Sequence, residues 1–290
     1  MSLGLSWAHV LGDAFSASDF ISRWAQVVGV IQSTGPPKTT PTPNPKLENS
    51  PNPTPSPTKD FPLSLKRVDP VGDHWITPND TKMETVSFPI SRAQIANLKS
   101  QIPGPFFESL SAIVWKSIAK IREQSEPKTV TVFKNNPKRA KGVLTNSQII
   151  SSVQADFSVV EADPRRLASL LAEQAIEETT QIEESVENDQ GLSDFVVYGA
   201  NLSFVDWQEA DFYGLELQGQ RPDFVSYGIQ GVGDNGVVLV LPGPKCSGKV
   251  EGGGGGEGRL VTVILPENEV SELKSELKKS GLLLEEENIE

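Results

Sequence analysis

Between residues 36 and 57 the chain places nine prolines: Pro36, Pro37, Pro41, Pro43, Pro45, Pro51, Pro53, Pro55 and Pro57. Each fixes φ and removes a backbone donor, so the stretch can form neither a helix interior nor a central strand. Thr, Ser, Asn and Lys fill the gaps, and the whole reads as an extended, polyproline-like surface linker. A ligand for a proline-binding module is the sharper reading. No basic residue is placed to orient such a ligand, so the linker is preferred. The prolines therefore separate a short leading segment (1–35) from a long block (66–284) by a linker (36–65), and the glutamates that follow mark an acidic tail (285–290).

The long block is large enough to bury a substantial core. Across all 290 residues, 26 Lys and Arg face 38 Asp and Glu, a net charge of −12. Such a chain repels phosphate backbones, which argues against general nucleic-acid binding. No apolar run reaches the ~20 residues of a membrane helix, and no basic-flanked signal peptide opens the sequence. Cys246 is the single cysteine and His9 and His74 are the two histidines. An internal disulfide and a cysteine-based zinc site are thereby excluded. These features lead us to expect a soluble protein of a reducing compartment, with no metal and no bound cofactor.

In the leading segment Leu3, Leu5 and Trp7 alternate with small residues, which predicts a short strand. Gly12 ends it. Ser16 followed by Asp19 fits a capping box for a helix carrying Phe20, Ile21, Trp24, Val27 and Val28. Beyond the linker, strands are expected at Met83–Ile90, Thr129–Phe133, Ile149–Val153, Phe195–Tyr198, Val237–Leu241 and Leu260–Leu265. Helices are expected from Ser91 through Leu98, over Phe106–Arg122, as one long acidic helix over 164–188 opened by Pro164, and over Asn268–Lys279 ending at Gly281. Strands and helices mix without strict alternation, so the fold class is α/β of the mixed α+β kind, a mixed sheet flanked by helices.

His9-Val10-Leu11-Gly12-Asp13 lies in the turn between the first two elements. A histidine titrates near neutrality and can serve as general base. A nearby carboxylate can hold the turn. The same spacing also fits a core histidine bonded to a carbonyl, with Asp13 capping the next helix, which is the commoner arrangement for this pattern alone.

Its flanking residues and four other segments give the pattern a context. Ser6-Trp7-Ala8-His9 through Ser16 resembles the HxxxD region of the plant BAHD acyltransferases. Ser111-Ala112-Ile113-Val114-Trp115 resembles their S-A-x-x-W helix, and Asn146-Ser147-Gln148 their N-x-Q element. Arg67 through Trp75 and Asp194 through Asn201 are similar to the eceriferum-like subgroup, associated with cuticular wax. The resemblance implies a chloramphenicol-acetyltransferase-like fold, acyl-CoA or an acyl chain as ligand, His9 as general base and Asp13 as the residue holding its turn. For the subgroup it implies a part in very-long-chain fatty acid extension beside the elongase condensing enzyme, at the cytosolic face of the endoplasmic reticulum.

Two departures accompany it. The family's DFGWG signature falls at Asp211-Phe212-Tyr213-Gly214-Leu215, where Asp211 and Phe212 remain, Gly214 takes the tryptophan's place, and Tyr213 and Leu215 stand for glycines. Neither can freely adopt φ > 0, so a reshaped coenzyme-side loop is expected. Met1 also stands only eight residues before His9, which implies a truncated first domain with apolar surface exposed beside His9. Weaker candidates are Gly252–Gly256, which lacks the Lys-Ser/Thr of a phosphate loop and reads as a hairpin loop; Asp73 with His74, read as loop structure; and Cys246, read as a surface thiol. Two functional classes follow: an accessory scaffold for acyl-chain elongation, and a working CoA-dependent O-acyltransferase.

Overall fold

The structure is a computed structural model that describes residues 1–34, 61–70, 81–140, 142–244 and 258–283. The proline-rich stretch, Asp73, His74, Cys246, Gly252–Gly256 and the tail at 285–290 lie outside the described residues.

A 3₁₀ turn at His9–Leu11 leads into α1 (Ala14–Thr34). There follow β1 (Lys66–Val68), β2 (Met83–Ile90), α2 (Arg92–Gln101), α3 (Phe106–Ile121), β3 (Thr129–Lys134), β4 (Ile149–Gln154), α4 (Pro164–Glu173), β5 (Ile176–Glu177), α5 (Thr179–Asp189), β6 (Asp194–Val196), β7 (Leu202–Asp206), β8 (Val237–Pro242), β9 (Arg259–Pro266) and α6 (Glu267–Lys279). Seven strands form one mixed sheet in the order β2-β9-β8-β7-β3-β4-β5. Its centre, β3-β7-β8, is parallel, and the flanking pairs are antiparallel. β1 and β6 pair separately.

Period-two alternation sorts the strands onto two faces. Val130, Val132, Phe204, Val238, Val240, Val261 and Val263 join one core with α3, whose Leu110, Val114, Trp115 and Ile118 are fully buried, and with residues of α2, α4 and α6. Phe133, Val205, Val237, Leu239, Leu241, Leu260 and Ile264 point the other way. They pack with Ala14 and Phe15 of α1 and with Trp207, Ala210 and Val232 from the loops. The first core is closed by helices; the second face carries loops and the start of α1, and there the site lies.

Four expectations need correction. Residues 3–7 form no strand: Leu3 and Leu5 are exposed, and Trp7 Nε1 donates to Gly12 O at 2.8 Å, which curls the segment onto its own turn. Asp13, not Ser16, caps α1, its Oδ1 accepting from Ser16 N at 3.0 Å. The long acidic helix is two helices, α4 and α5. Ile176–Glu177 pairs with Ser151 and Ser152 of β4 between them, and Glu178 is buried. Its carboxylate accepts from Leu63 N, Ser64 N, Ser64 Oγ and Ser152 Oγ, a use no straight helix would permit. Finally β7, the central strand of the sheet, goes unforeseen. The helices at Ser91 and Phe106 and the remaining long strands form where the sequence places them. Ser91 caps α2 through a reciprocal capping box with Gln94.

Candidate active site

The turn holding His9 is fixed from beneath by a polar network that reaches across the sequence. Asp13 is 1% exposed. Arg139 Nη1 donates to both of its oxygens at 2.7 Å, and Ser147 N donates to Oδ2 at 3.1 Å. Arg139 Nη2 donates to Ser16 Oγ at 2.6 Å, while Ser16 Oγ donates to Thr145 O and accepts from Thr145 N, each at 3.0 Å. Asp13 N donates to Thr145 O at 3.1 Å, and Asn146 Nδ2 donates to His9 O at 2.8 Å. The Asn146-Ser147-Gln148 element thus lies directly against the His9–Asp13 turn. Both carboxylate oxygens of Asp13 are taken by these donors, so Asp13 anchors the turn.

Gly12 permits this closeness. Its φ is +144°, and a Cβ there would stand 2.6 Å from Ser16 Oγ. A side chain would strain the backbone and push Ser16 off Thr145. Gly12→Ala is expected to lower stability by about 1–3 kcal/mol, readable as an earlier urea midpoint with an unchanged slope. A midpoint equal to that of the parent chain would show that the turn relaxes freely.

His9 is exposed. Its Nε2 stands 3.4 Å from Tyr198 Oη, and the two rings lie 5.6 Å apart. Tyr198 stacks on Phe133 at 4.4 Å, and Tyr227 meets Trp207 edge-on at 4.6 Å and Phe212 at 5.7 Å. These rings, with Gln148 and Ile150, line an open cavity of about 1830 Å³ that also takes in His9 and Asp13. Burial raises the Tyr198 hydroxyl above its ordinary range and pushes Tyr227 up to about 12. Both phenols therefore stay neutral near pH 7. His9 faces a large cavity lined by both aromatic and polar side chains, with the neutral hydroxyl of Tyr198 near its ring nitrogen.

The residues of the altered signature are divided. Phe212 and Leu215 line the cavity, while Asp211 is exposed and, among the described residues, forms no ion pair. Gly214 packs so closely on Asp211 that a Cβ would overlap its carboxylate. Tyr213 is buried, and its hydroxyl accepts from Val225 N at 3.3 Å. The tyrosine thus ties the 211–215 loop to the 222–229 stretch, part of the cavity wall. Leu3, Leu5, Val10 and Leu11 are exposed around the His9 turn. Among the described residues no cluster of three or more His, Cys, Asp or Glu is arranged for a metal, and no helix is long and apolar enough to cross a membrane.

Sequence reasoning missed Arg139 and Tyr198 as site residues. Arg139 sits in Lys134–Lys141, a basic stretch that reads as a solvated loop, and nothing in the sequence marks which cation turns inward. Tyr198 falls in an expected strand and in the eceriferum-like stretch Asp194–Asn201, but neither marks it as a neighbour of His9.

Comparison with known proteins places this arrangement. The sequence profile of the Transferase family matches residues 1–280. The chain is 43% identical over 291 residues to Protein ECERIFERUM 26-like of Arabidopsis thaliana, covering 98% of this chain and 63% of that protein. It is 36% identical to Protein ECERIFERUM 2 of the same plant, covering 96% and 62%. The chain therefore spans less than two thirds of these relatives. Among solved structures, vinorine synthase superposes with a TM-score of 0.57 at 15% identity, over 95% of this chain and 61% of that one. TRI101 of F. graminearum, complexed with coenzyme A and deoxynivalenol, gives 0.55 at 14% identity, over 94% and 65%. At such identities these two report on the fold alone.

Proposed function

Because the chain belongs to the Transferase family, the BAHD acyltransferases, and within it to the eceriferum-like subgroup, we propose that it handles acyl chains in the elongation of very-long-chain fatty acids for cuticular wax. In this reading it is an accessory of the elongase condensing enzyme, held at the cytosolic face of the endoplasmic reticulum by that partner. The observation that carries the accessory role is the rebuilt loop at 211–215. Tyr213 fills buried space where the family signature has glycine and binds Val225 N, so the loop is committed to shaping the cavity wall. A cavity of about 1830 Å³, lined in part by aromatic rings, offers apolar surface of the kind a long acyl chain needs.

The exposed ring of His9 at that cavity favours a second reading, a CoA-dependent O-acyltransferase. His9 would take the proton from an acceptor hydroxyl as it attacks the thioester carbonyl. Asp13 would keep the turn in place, and acyl-CoA would be the substrate, with no metal or resident cofactor.

Co-expression of the chain with a condensing enzyme, followed by product-length analysis, tests the pair. The accessory reading expects His9→Ala to leave the longest products nearly unchanged, since no proton passes through His9. The transferase reading expects the same change to lower acyl transfer by about 10²–10⁴-fold, the usual contribution of a general base. A large shortening of products with His9→Ala would overturn the accessory reading. Failure of the parent chain to lengthen products would remove its basis.

A further inference from the structure

Gln148 carries a side-chain amide that the turn does not use. The residue is 7% exposed and lines the cavity that His9 faces. Its Oε1 accepts from Trp207 Nε1 at 3.1 Å, in a buried contact. An indole N–H can only donate, so it fixes which end of the carboxamide it meets. The oxygen must face Trp207, and the NH₂ group must face away from it. Among the described residues Nε2 has no hydrogen-bond partner. A buried amide donor without an acceptor is costly and uncommon.

The backbone on either side of this side chain is firmly held. Asn146, two residues earlier, bonds the carbonyl of His9, and Ser147 N bonds Asp13. Asn146, Gln148 and Ile150, at alternate positions, all line the cavity. The donor is therefore mounted on the same strip of chain that positions the histidine, on a wall that also carries the rings of Phe133, Tyr198, Trp207 and Tyr227.

We propose that Gln148 Nε2 is the polar contact for the carbonyl oxygen of the acyl group lodged in this cavity, fixing the head of the chain while its tail lies against the aromatic wall. This rests on the acyl-binding reading above. A carbonyl oxygen is the acceptor that a neutral amide donor recognises. It could belong to a thioester or to a free fatty acid.

Binding of matched ligands to the 290-residue chain tests the assignment. One pair is dodecanoyl-CoA and S-dodecyl-CoA, which lacks the carbonyl. The other is dodecanoate and dodecanol. Leaving a buried donor unpaired predicts that the carbonyl-bearing member of a pair binds about 5–100-fold more tightly. Discrimination in the first pair assigns a thioester, and in the second alone a free acid. Gln148→Leu should abolish the discrimination while leaving affinity for the carbonyl-free ligand near its parent value. Should loss of the Trp207 contact unfold that variant, Gln148→Glu retains an acceptor for the indole. At pH 9 it should then bind the carbonyl-bearing ligand no better than its analogue. Equal binding of both members of both pairs by the parent chain overturns the role of Gln148 and leaves the acyl-binding reading standing. Failure of all four to bind overturns both.

Discussion

Replacing Arg139 with alanine is expected to cost about 3–5 kcal/mol, the usual loss when one partner of a buried ion pair is removed. Its guanidinium is 9% exposed and Asp13 is 1% exposed. Without it, the carboxylate keeps only two backbone donors, Ser16 N and Ser147 N, and Ser16 Oγ and Ser147 Oγ each lose a charged donor. Arg139→Lys should recover only part of the loss. A point ammonium cannot span Asp13 and Ser16 together as the planar fork does. Equilibrium denaturation of the two variants checks this, and an alanine variant within about 1 kcal/mol of the parent chain would show that water replaces the arginine adequately. The same variant should disturb the His9 turn, because Asp13 and Thr145 hold it through this network.

A second large effect is expected at Trp115, fully buried in α3. Its ring is at the centre of the helix-covered core, and its Nε1 donates to Pro127 O at 2.7 Å. Trp115→Ala removes the ring and leaves a cavity, a change that typically costs about 3–5 kcal/mol. Trp115→Phe retains most of the packing but deprives the Pro127 carbonyl of its donor, so a smaller loss of about 1 kcal/mol is expected from the hydrogen bond. Thermal or urea unfolding of both variants separates the two contributions. Equal losses would mean that packing of the ring retained by phenylalanine contributes nothing. Because Trp115 lies on the face opposite the cavity, ligand affinity in the folded variants should stay unchanged.

That tryptophan shows how the sequence could be read successfully. In α3 the apolar residues recur on one stripe, and the predicted Phe106–Arg122 differs from the observed helix by one residue. β2, β3, β4, β8 and β9 are long enough for alternation or apolar runs to mark them. β7 escaped because it is only five residues long and buried nearly throughout, so it shows little alternation, and Asn201 and Trp207 beside it read as loop. The Leu3–Trp7 strand failed for the converse reason. Its alternation is real, but one indole hydrogen bond to Gly12 O decides the local path. Over 164–188 the helical pattern hid a break at Ile176–Glu177, since sheet pairing and the burial of Glu178 are tertiary events that periodicity does not report.

The site divides in the same way. His9, Asp13 and Asn146-Ser147-Gln148 stand out by motif and order; the structure brings His9, Asp13, Asn146 and Gln148 to one cavity and turns Ser147 N onto Asp13. Their connection could not be read. Arg139 shares its stretch with Lys134, Lys138 and Lys141, and only the fold selects it. Tyr198 and Tyr227 acquire their raised pKa values from burial, a property of the packed wall rather than of either residue's neighbours in sequence.

The network beneath His9 also bears on the order in which the molecule is made. Asp13 leaves the ribosome 126 residues before Arg139 and 134 before Ser147. Throughout that interval the His9 turn lacks the ion pair and the backbone donor that later fix it. At a synthesis rate of roughly 5–20 residues per second, the wait lasts several seconds or more. The His9 turn is thus synthesised well before the groups that give it shape. Nascent chains halted before residue 139 would carry its histidine without the architecture that aims it.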